Sequence, residues 1–549
     1  MAKYNSENRI LGLLIFFISL GLLIWGRFFY LSVIRHEYYL AKAKILIANN
    51  NNVAPRGSIF LTDKDSLPYA VALNKEFPLI YAIPQKIKEP QILAEKISPI
   101  LELDMEILIQ KLSKTNDPYE ILKKRVSEEI IKAIKDQNEA GLGIDDETLR
   151  YYSEGLYLSH VIGFLGFNKD GQTGQYGLEE YYNKELSSFI SNADLILTID
   201  LAIQSQAGSL LLKTINDWQA DGGSIVVMDP KDGNILAMAS FPDFDANNYS
   251  SVKNSDFFIN PVTLKRYEPG SVFKPITMAI GIETGVVTPE MEYYNTGTIK
   301  VGDKIISNSI PDKVLGLQTM VKVLEQSLNT GAVFVEQRVP KDIFLKYLKD
   351  FGIDSKTNID VLEIEGDLSV LSKMRDINFA TASFGQGIAM TPIELIRALS
   401  VIANGGKLVK PHLVKKIVSH NGDNIKINDG SLKQIISQET SAKLINMMIK
   451  VVENGSGRRA GVTGYTVAGK TGTAQVPDLK LGGYLDQYVH TFVGFAPAYD
   501  PKFIVLIKLD NPKGVQFAES TVVPAFKELA EFIFSYLEIP PDKPVEQSQ

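Results

Sequence analysis

Two strand–turn–strand patterns bracket residues 224–509, and they constrain the fold of this chain more than any other feature. Ser224-Ile-Val-Val-Met228 and Gly233-Asn-Ile-Leu-Ala-Met238 are apolar, β-leaning runs around a Pro/Asp/Gly turn, which reads as a hairpin. Thr491 to Pro497 and Phe503 to Leu509 repeat the pattern near the C-terminus, with Ala-Tyr-Asp-Pro between them. A further strand-like segment starts at Leu195-Ile-Leu-Thr-Ile199-Asp200. Strands at both ends with helical stretches between them imply a sheet closed by chain-distant partners, an α+β layer architecture. Ahead of these strands, residues 85–140 are rich in Lys, Glu, Ile and Leu, with helical periodicity at Ile92, Leu93, Ile97 and Leu101.

The N-terminus carries a second constraint. Ile10 to Gly26 is 17 residues without a charge, and after Arg27 the run Phe28 to Ile34 is uncharged too. That length suits a membrane span, with Arg27 snorkelling beside Trp25 and Tyr30. No small-x-small cleavage site follows, since the exit reads Trp-Gly-Arg-Phe-Phe-Tyr, so the expectation is an uncleaved anchor rather than a signal peptide. Lys3 and Arg9 before the span balance Arg35, Lys42 and Lys44 after it, so charge counting leaves orientation open. No second span of similar length is present, which places the rest of the chain on one side of the membrane. The expected organisation is a short cytoplasmic tail (1–9), a transmembrane anchor (10–34), an N-terminal pedestal or dimerisation module (35–194), a catalytic domain (195–538) and a disordered tail (539–549). Asn49 to Asn52 and the following Val-Ala-Pro-Arg-Gly read as the loop that leaves the membrane.

Composition closes off several functions. Lys plus Arg is 57 against Asp plus Glu 64, a net charge of −7, too acidic to hold a nucleic-acid backbone by bulk charge. Cysteine is absent, which removes disulfides, thiolate nucleophiles and cysteine metal sites. The five histidines, His36, His160, His412, His420 and His490, are scattered, so no metal and no cofactor is expected.

Three short motifs carry chemistry. In Pro269-Gly270-Ser271-Val-Phe-Lys274-Pro275 a turn is followed by a helix expected to begin at the serine, with Pro275 tolerable only in its first turn. Ser271 and Lys274 then stand at i and i+3 on one face, where an amine can take the hydroxyl proton. Lysine serves as a base only if burial or another cation depresses its pKa. Alone, Ser-x-x-Lys is more often a capping serine with a surface lysine. The second motif, Ser327-Leu-Asn329, points both polar groups together only on a turn, and by itself is an ordinary loop. The third, Lys470-Thr471-Gly472-Thr473, is β-leaning. In an extended strand Lys470 and Gly472 face one way, and the glycine leaves room for a substrate backbone. Gly464 to Thr471 also matches the phosphate-loop pattern, but that requires a helix starting at Lys470, and Pro477 would break it. No nucleotide is expected.

Taken together and in this order, the motifs resemble those of the penicillin-recognising serine acyltransferases. The resemblance continues outside them. Pro55-Arg56-Gly57-Ser58-Ile59, Arg150-Tyr-Tyr-Ser-Glu-Gly155 with His160-Val-Ile-Gly163, and Gly174-Gln-Tyr-Gly-Leu-Glu179 are similar to the N-terminal module of class B penicillin-binding proteins. Asp229-Pro with Gly233 to Met238, Gly385-Gln-Gly387 with Thr391-Pro392, and Phe492 to Pro497 are similar to their transpeptidase domain. Thr521-Val-Val-Pro524-Ala-Phe526 before an amphipathic helix resembles the division-type FtsI (penicillin-binding protein 3) branch. Two departures are Leu61-Thr-Asp63-Lys-Asp-Ser, where the family usually has Asp-Arg-Asn-Gly, and Ser153, where it usually has proline. No glycosyltransferase domain fits between the anchor and Arg56, which argues against a bifunctional class A enzyme.

The resemblance implies an antiparallel sheet flanked by helices, as in β-lactamases, and a single-pass protein of the cell (inner) membrane with its catalytic domain outside the cytoplasm. It implies a D,D-transpeptidase that cross-links peptidoglycan in septal synthesis and is a target of β-lactams. The substrates would be D-Ala-D-Ala stem peptides on lipid-linked precursor, and the partners a glycosyltransferase and other division proteins. Ser271 would attack the penultimate D-Ala carbonyl, with Lys274 as base and the N–H groups of Ser271 and Thr473 as oxyanion hole. Ser327 would relay the proton, Asn329 would hold the peptide amide, and Lys470 with Thr471 or Thr473 beside Gly472 would recognise the terminal carboxylate. Other readings use the same motifs. A membrane-anchored β-lactamase needs a deacylating base, and Glu325-Gln-Ser-Leu-Asn329 fits one such pattern while overlapping the second motif. A β-lactam sensor or non-catalytic division scaffold would keep the pocket without cross-linking, and a carboxypeptidase would use water as acceptor.

Overall fold

The structure is a computed structural model that describes residues 4–30, 56–114, 117–153, 155, 157–168, 171–187, 193–310, 315–419, 424–426, 432–478 and 480–544. The last residues of the expected anchor (31–34), the Asn49–Asn52 loop, Pro55, Glu154 and the final five residues of the expected tail lie outside that set. The described chain begins with α1 (Tyr4–Phe29), along which Leu13, Phe17 and Leu22 are exposed. Among the described residues, no helix is long and apolar enough to cross a membrane.

Two compact units emerge, one from residues 1–55 and 74–149, the other from 56–73 and 150–549. Strand β1 (Ile59–Thr62) belongs to the larger unit, while β2 (Pro68–Ala82) gives its first residues to that unit and its remainder to the smaller one. In the smaller unit, helices α2 (Pro90–Leu101), α3 (Met105–Leu112) and α4 (Glu128–Lys135) bury Leu93, Ile97, Leu101, Leu108 and Ile134 around Ile80. The helical expectation for residues 85–140 is correct for these three segments and wrong for Glu120–Lys124. That segment is strand β3, paired antiparallel with Leu79–Ala82. Its sequence, Glu-Ile-Leu-Lys-Lys, has no strong β signal, and the tertiary burial of Leu122 decides the conformation.

In the larger unit, β1 pairs antiparallel with the start of β2 and parallel with β5 (Ala193–Asp200), β4 being Leu142–Tyr152. The three family-like segments of this region converge on one buried ion cluster. Arg56 Nε donates to Glu179 at 2.5 Å and Arg150 Nε at 2.8 Å, and the Tyr152 hydroxyl donates at 3.2 Å. Burial alone would raise the Glu179 carboxyl, but the two guanidiniums outweigh it and hold it below the usual carboxylate range. Ser153 accounts for its departure from proline: its N–H donates to the Val71 carbonyl at 2.9 Å, a bond proline cannot make.

The sheet that carries the site is five-stranded. Strands β6 (Gly222–Met228) and β7 (Ile235–Phe241) form the first expected hairpin, and β10 (Tyr484–Ala496) and β11 (Phe503–Asp510) the second. With β8 (Val414–Ser419) assigned to the other sheet and β9 (Ala468–Pro477) to this one, the order is β9-β10-β11-β6-β7, all antiparallel. Chain-distant closure is therefore made by β11 against β6. Both faces are covered, so β6, β7 and β11 are near-continuous apolar runs rather than alternating ones. Ile225, Val227, Val505 and Ile507 face one core, which includes residues of α5 (Leu201–Trp218) and of the C-terminal helix Val522–Tyr536. Val226, Met228, Val493, Ile504 and Leu506 face the other core, which holds Val272, Phe273 and Ile276. The tail expected to be disordered from 539 is ordered through 544. Ile539 is buried, the Tyr465 hydroxyl donates to its carbonyl at 2.6 Å, and Asp542 accepts the Thr466 N–H at 2.7 Å. A Pro-Pro-Asp-Lys-Pro composition looked unable to bury surface, but here the body of the domain supplies the partners.

Candidate active site

The serine of the first motif sits on a single 3₁₀ turn, Gly270–Phe273, and the α-helix α6 (Lys274–Glu283) starts at the lysine instead of at the serine. Gly270 has φ 61°, a left-handed conformation that glycine adopts without penalty, and this bends the chain so that Ser271 projects before the helix begins. Pro275 falls at the second position of α6, where its missing N–H costs nothing. The turn is braced by the Gly385-Gln-Gly387 segment: Gly270 N–H donates to the Gly385 carbonyl at 3.0 Å, and Gly387 N–H donates to Glu268 at 3.0 Å.

The second motif links α7 (Met320–Glu325) to α8 (Asn329–Glu336). Ser327 has φ 58°, rare for a residue with a side chain, and its hydroxyl comes to lie between two lysines. The third motif lies on β9, an extended strand and not the start of a helix, as the rejection of a phosphate loop requires. Gly472 is needed for close approach: a Cβ there would sit 2.9 Å from the Pro269 carbonyl oxygen and 3.1 Å from Val272. The strand can therefore pass directly against the serine turn.

These elements bring the expected residues together. Lys274 Nζ lies 2.9 Å from Ser271 Oγ, 3.2 Å from Ser327 Oγ and 2.6 Å from the Ser327 carbonyl. Lys470 Nζ lies 2.9 Å from Ser327 Oγ and donates to the Thr471 carbonyl at 2.9 Å. The two side chains are 1% and 0% exposed, and neither has a carboxylate partner among the described residues. Burial, with the nearby Lys470 charge, pushes the Lys274 ammonium well below the ordinary lysine value; burial pushes Lys470 down to about 7.

Ser271, Ser327, Asn329, Thr471 and Thr473 line one cavity of about 520 Å³. Asn329 is partly committed: its Nδ2 donates to the Ser307 carbonyl at 2.9 Å. Sequence reasoning missed several wall residues. Ser456 is one, its hydroxyl 2.7 Å from that of Thr471; Gln386, Gln475, Tyr488, Phe517 and Glu519 also line the cavity. Only the Gly-Gln-Gly segment flagged any of them beforehand. Glu325, which matched a deacylating pattern, is buried, pairs with Lys322 at 2.6 Å and does not line the cavity.

A serine on a tight turn, a second serine between two buried lysines and an edge strand packed against that turn sit on the fold of a penicillin-binding transpeptidase. The family model described as the penicillin binding protein transpeptidase domain matches residues 223–531, and that of the penicillin-binding protein dimerisation domain matches residues 51–192. Stage V sporulation protein D of Bacillus subtilis is 33% identical, over 95% of this chain and 85% of its own. The peptidoglycan D,D-transpeptidase FtsI of Buchnera aphidicola is 28% identical, over 98% and 96%. Penicillin-binding protein 3 of Mycobacterium tuberculosis, solved with aztreonam, has the same fold, with a TM-score of 0.70 and 24% identity over 89% of this chain and 98% of that one. The chain belongs to the penicillin-binding protein family, as a class B member of the FtsI, or penicillin-binding protein 3, type.

Proposed function

We propose that this protein is a serine D,D-transpeptidase that cross-links peptidoglycan in septal cell-wall synthesis. The observation that carries the reading is a buried amine, Lys274, 2.9 Å from the Ser271 hydroxyl, with its pKa pushed well below the ordinary lysine value by burial and a second lysine. Lys274 takes the Ser271 proton as Oγ bonds to the penultimate D-Ala carbonyl carbon. The negative charge that develops on the carbonyl oxygen is met by the N–H groups of Ser271 and Thr473. The C–N bond then breaks, and Ser327, between the two lysines, passes a proton to the departing D-Ala. An amine from a second stem peptide attacks the ester, and Ser271 recovers its proton. Lys470, with Thr471 or Thr473, holds the terminal carboxylate. The carbonyl end of the Asn329 amide takes a substrate N–H. β-Lactams acylate the same hydroxyl and stay attached, because Glu325, buried, paired with Lys322 and absent from the cavity wall, does not serve as a deacylating base.

The anchor at 10–34 places the catalytic domain outside the cytoplasm on a single span, a reading supported by the exposed apolar side chains of α1. Residues 35–194 serve as the pedestal that docks a glycosyltransferase and other division proteins, ahead of the catalytic domain at 195–538. A second role, cross-linking during spore formation, is favoured by the 33% identity to a stage V sporulation protein. Loss of septation on depletion supports the first role, and a defect confined to spores the second. The chemistry itself is tested with Ser271→Ala. We expect this variant to keep its melting temperature and to lose all covalent penicillin adduct by intact mass, and a persisting adduct refutes the assignment.

A further inference from the structure

The cavity wall carries a single carboxylate, on the loop held against Thr473. Strand β9 ends the order of its sheet, so an extended peptide can add along it by main-chain pairing. Lys470 stands near the start of that strand. A peptide whose terminal carboxylate sits at Lys470 therefore runs antiparallel to β9, and its residues ahead of D-Ala-D-Ala reach Gln475 and beyond, at roughly 3.4 Å per residue. The wall there includes Gln475 and its cross-strand partner Tyr488, and next to them, held against Thr473 through Ala518, the loop that carries Phe517 and Glu519.

Among the residues that form the cavity wall, Glu519 alone carries a formal charge. It is exposed and has no ion-pair partner among the described residues. The loop that presents it is fixed on both sides. The His490 ring contacts the Gln516 carbonyl at 3.1 Å and the Thr521 hydroxyl at 2.9 Å, and the Ala518 N–H donates to Thr473 Oγ1 at 3.1 Å. Buried Lys470 near the start of β9 and a solvated carboxylate on the loop held at Thr473, further along the strand, match a peptide with a carboxylate at its terminus and an ammonium on a residue before D-Ala-D-Ala.

We propose that Glu519 is a specificity-determining residue, selecting donor stem peptides that carry a free primary ammonium on the residue preceding D-Ala-D-Ala. This rests on the transpeptidase reading above. The carboxylate is at the protein surface, so the expected preference is modest, roughly fivefold, and sensitive to salt.

The test uses the full chain and two β-lactams with one nucleus, whose acylamino side chains end in a primary ammonium or in its acetamide. Wild type should acylate Ser271 about fivefold faster with the ammonium compound. Glu519→Gln should bring the ratio to about one, and Glu519→Lys should invert it. Equal rates in wild type, or a preference that survives Glu519→Gln, overturns the proposal. A preference seen only when an added amine releases the acyl group, and not in acylation, also overturns it, since Glu519 would then serve the acceptor. An adduct that maps away from Ser271, or none with either compound, refutes the transpeptidase reading instead.

Discussion

Lys274 and Lys470 both have pKa values below the ordinary lysine value, and the proposed mechanism needs them in opposite protonation states. On the proposed mechanism Lys274 must be a neutral amine, so acylation should rise with pH as it loses its proton. On the same mechanism Lys470 must be a cation toward the substrate carboxylate, so acylation should fall above about 7, where burial places its pKa. The rate of fluorescent-penicillin labelling against pH is therefore expected to be bell-shaped. Lys470→Met removes a positive neighbour, which raises the Lys274 pKa. Its rising limb should move to higher pH, and an unmoved limb would mean that the two amines do not communicate. Lys274→Ala should slow labelling by roughly a thousandfold, the scale of a lost general base. Much of this was legible in the sequence, because i, i+3 spacing on a helical turn fixes which side chains meet. The left-handed backbone of Ser327 was not legible, since nothing in Ser-Leu-Asn signals φ 58°. Ser456 was invisible as well, because a lone serine has no pattern and its contact with Thr471 is purely tertiary.

At the scale of elements, the serine turn and β9 work only because they touch. Gly472→Ala places a methyl 2.9 Å from the Pro269 carbonyl oxygen, so the strand or the turn must shift. We expect a loss of acylation of more than about tenfold with little change in melting temperature, because catalytic geometry fails at displacements too small to unfold a sheet. Glu179 is the opposite case, away from the cavity but binding β1, β4 and their neighbours through Arg56 and Arg150. Glu179→Gln should destabilise the larger unit by about 3–5 kcal/mol in denaturant titration, the cost of leaving buried guanidiniums without their carboxylate. The two hairpins were readable from apolar runs around turn residues. Strand β3 and the ordered 539–544 segment were not, as both owe their conformation to partners distant in sequence: Leu79 to Ala82 for one, Gly464 to Thr466 for the other.

Across the whole molecule, anchoring and chemistry should be separable. Removing residues 1–34 is expected to release the protein from membranes in fractionation while leaving penicillin labelling intact. Membrane retention of that truncation would count against the anchor. In the sheet that carries the site, β9 reaches β6 only through β10 and β11. That order has a consequence for the chain as it is being made. Ser271 and Ser327 leave the ribosome long before the strand bearing Lys470, and that strand has no place in the sheet until residues 503–510 have paired with 222–228. Ser327 is thus left without its second amine until synthesis is almost complete, and a half-emerged polypeptide holds the serine and its neighbouring lysine but not the strand that completes the cavity.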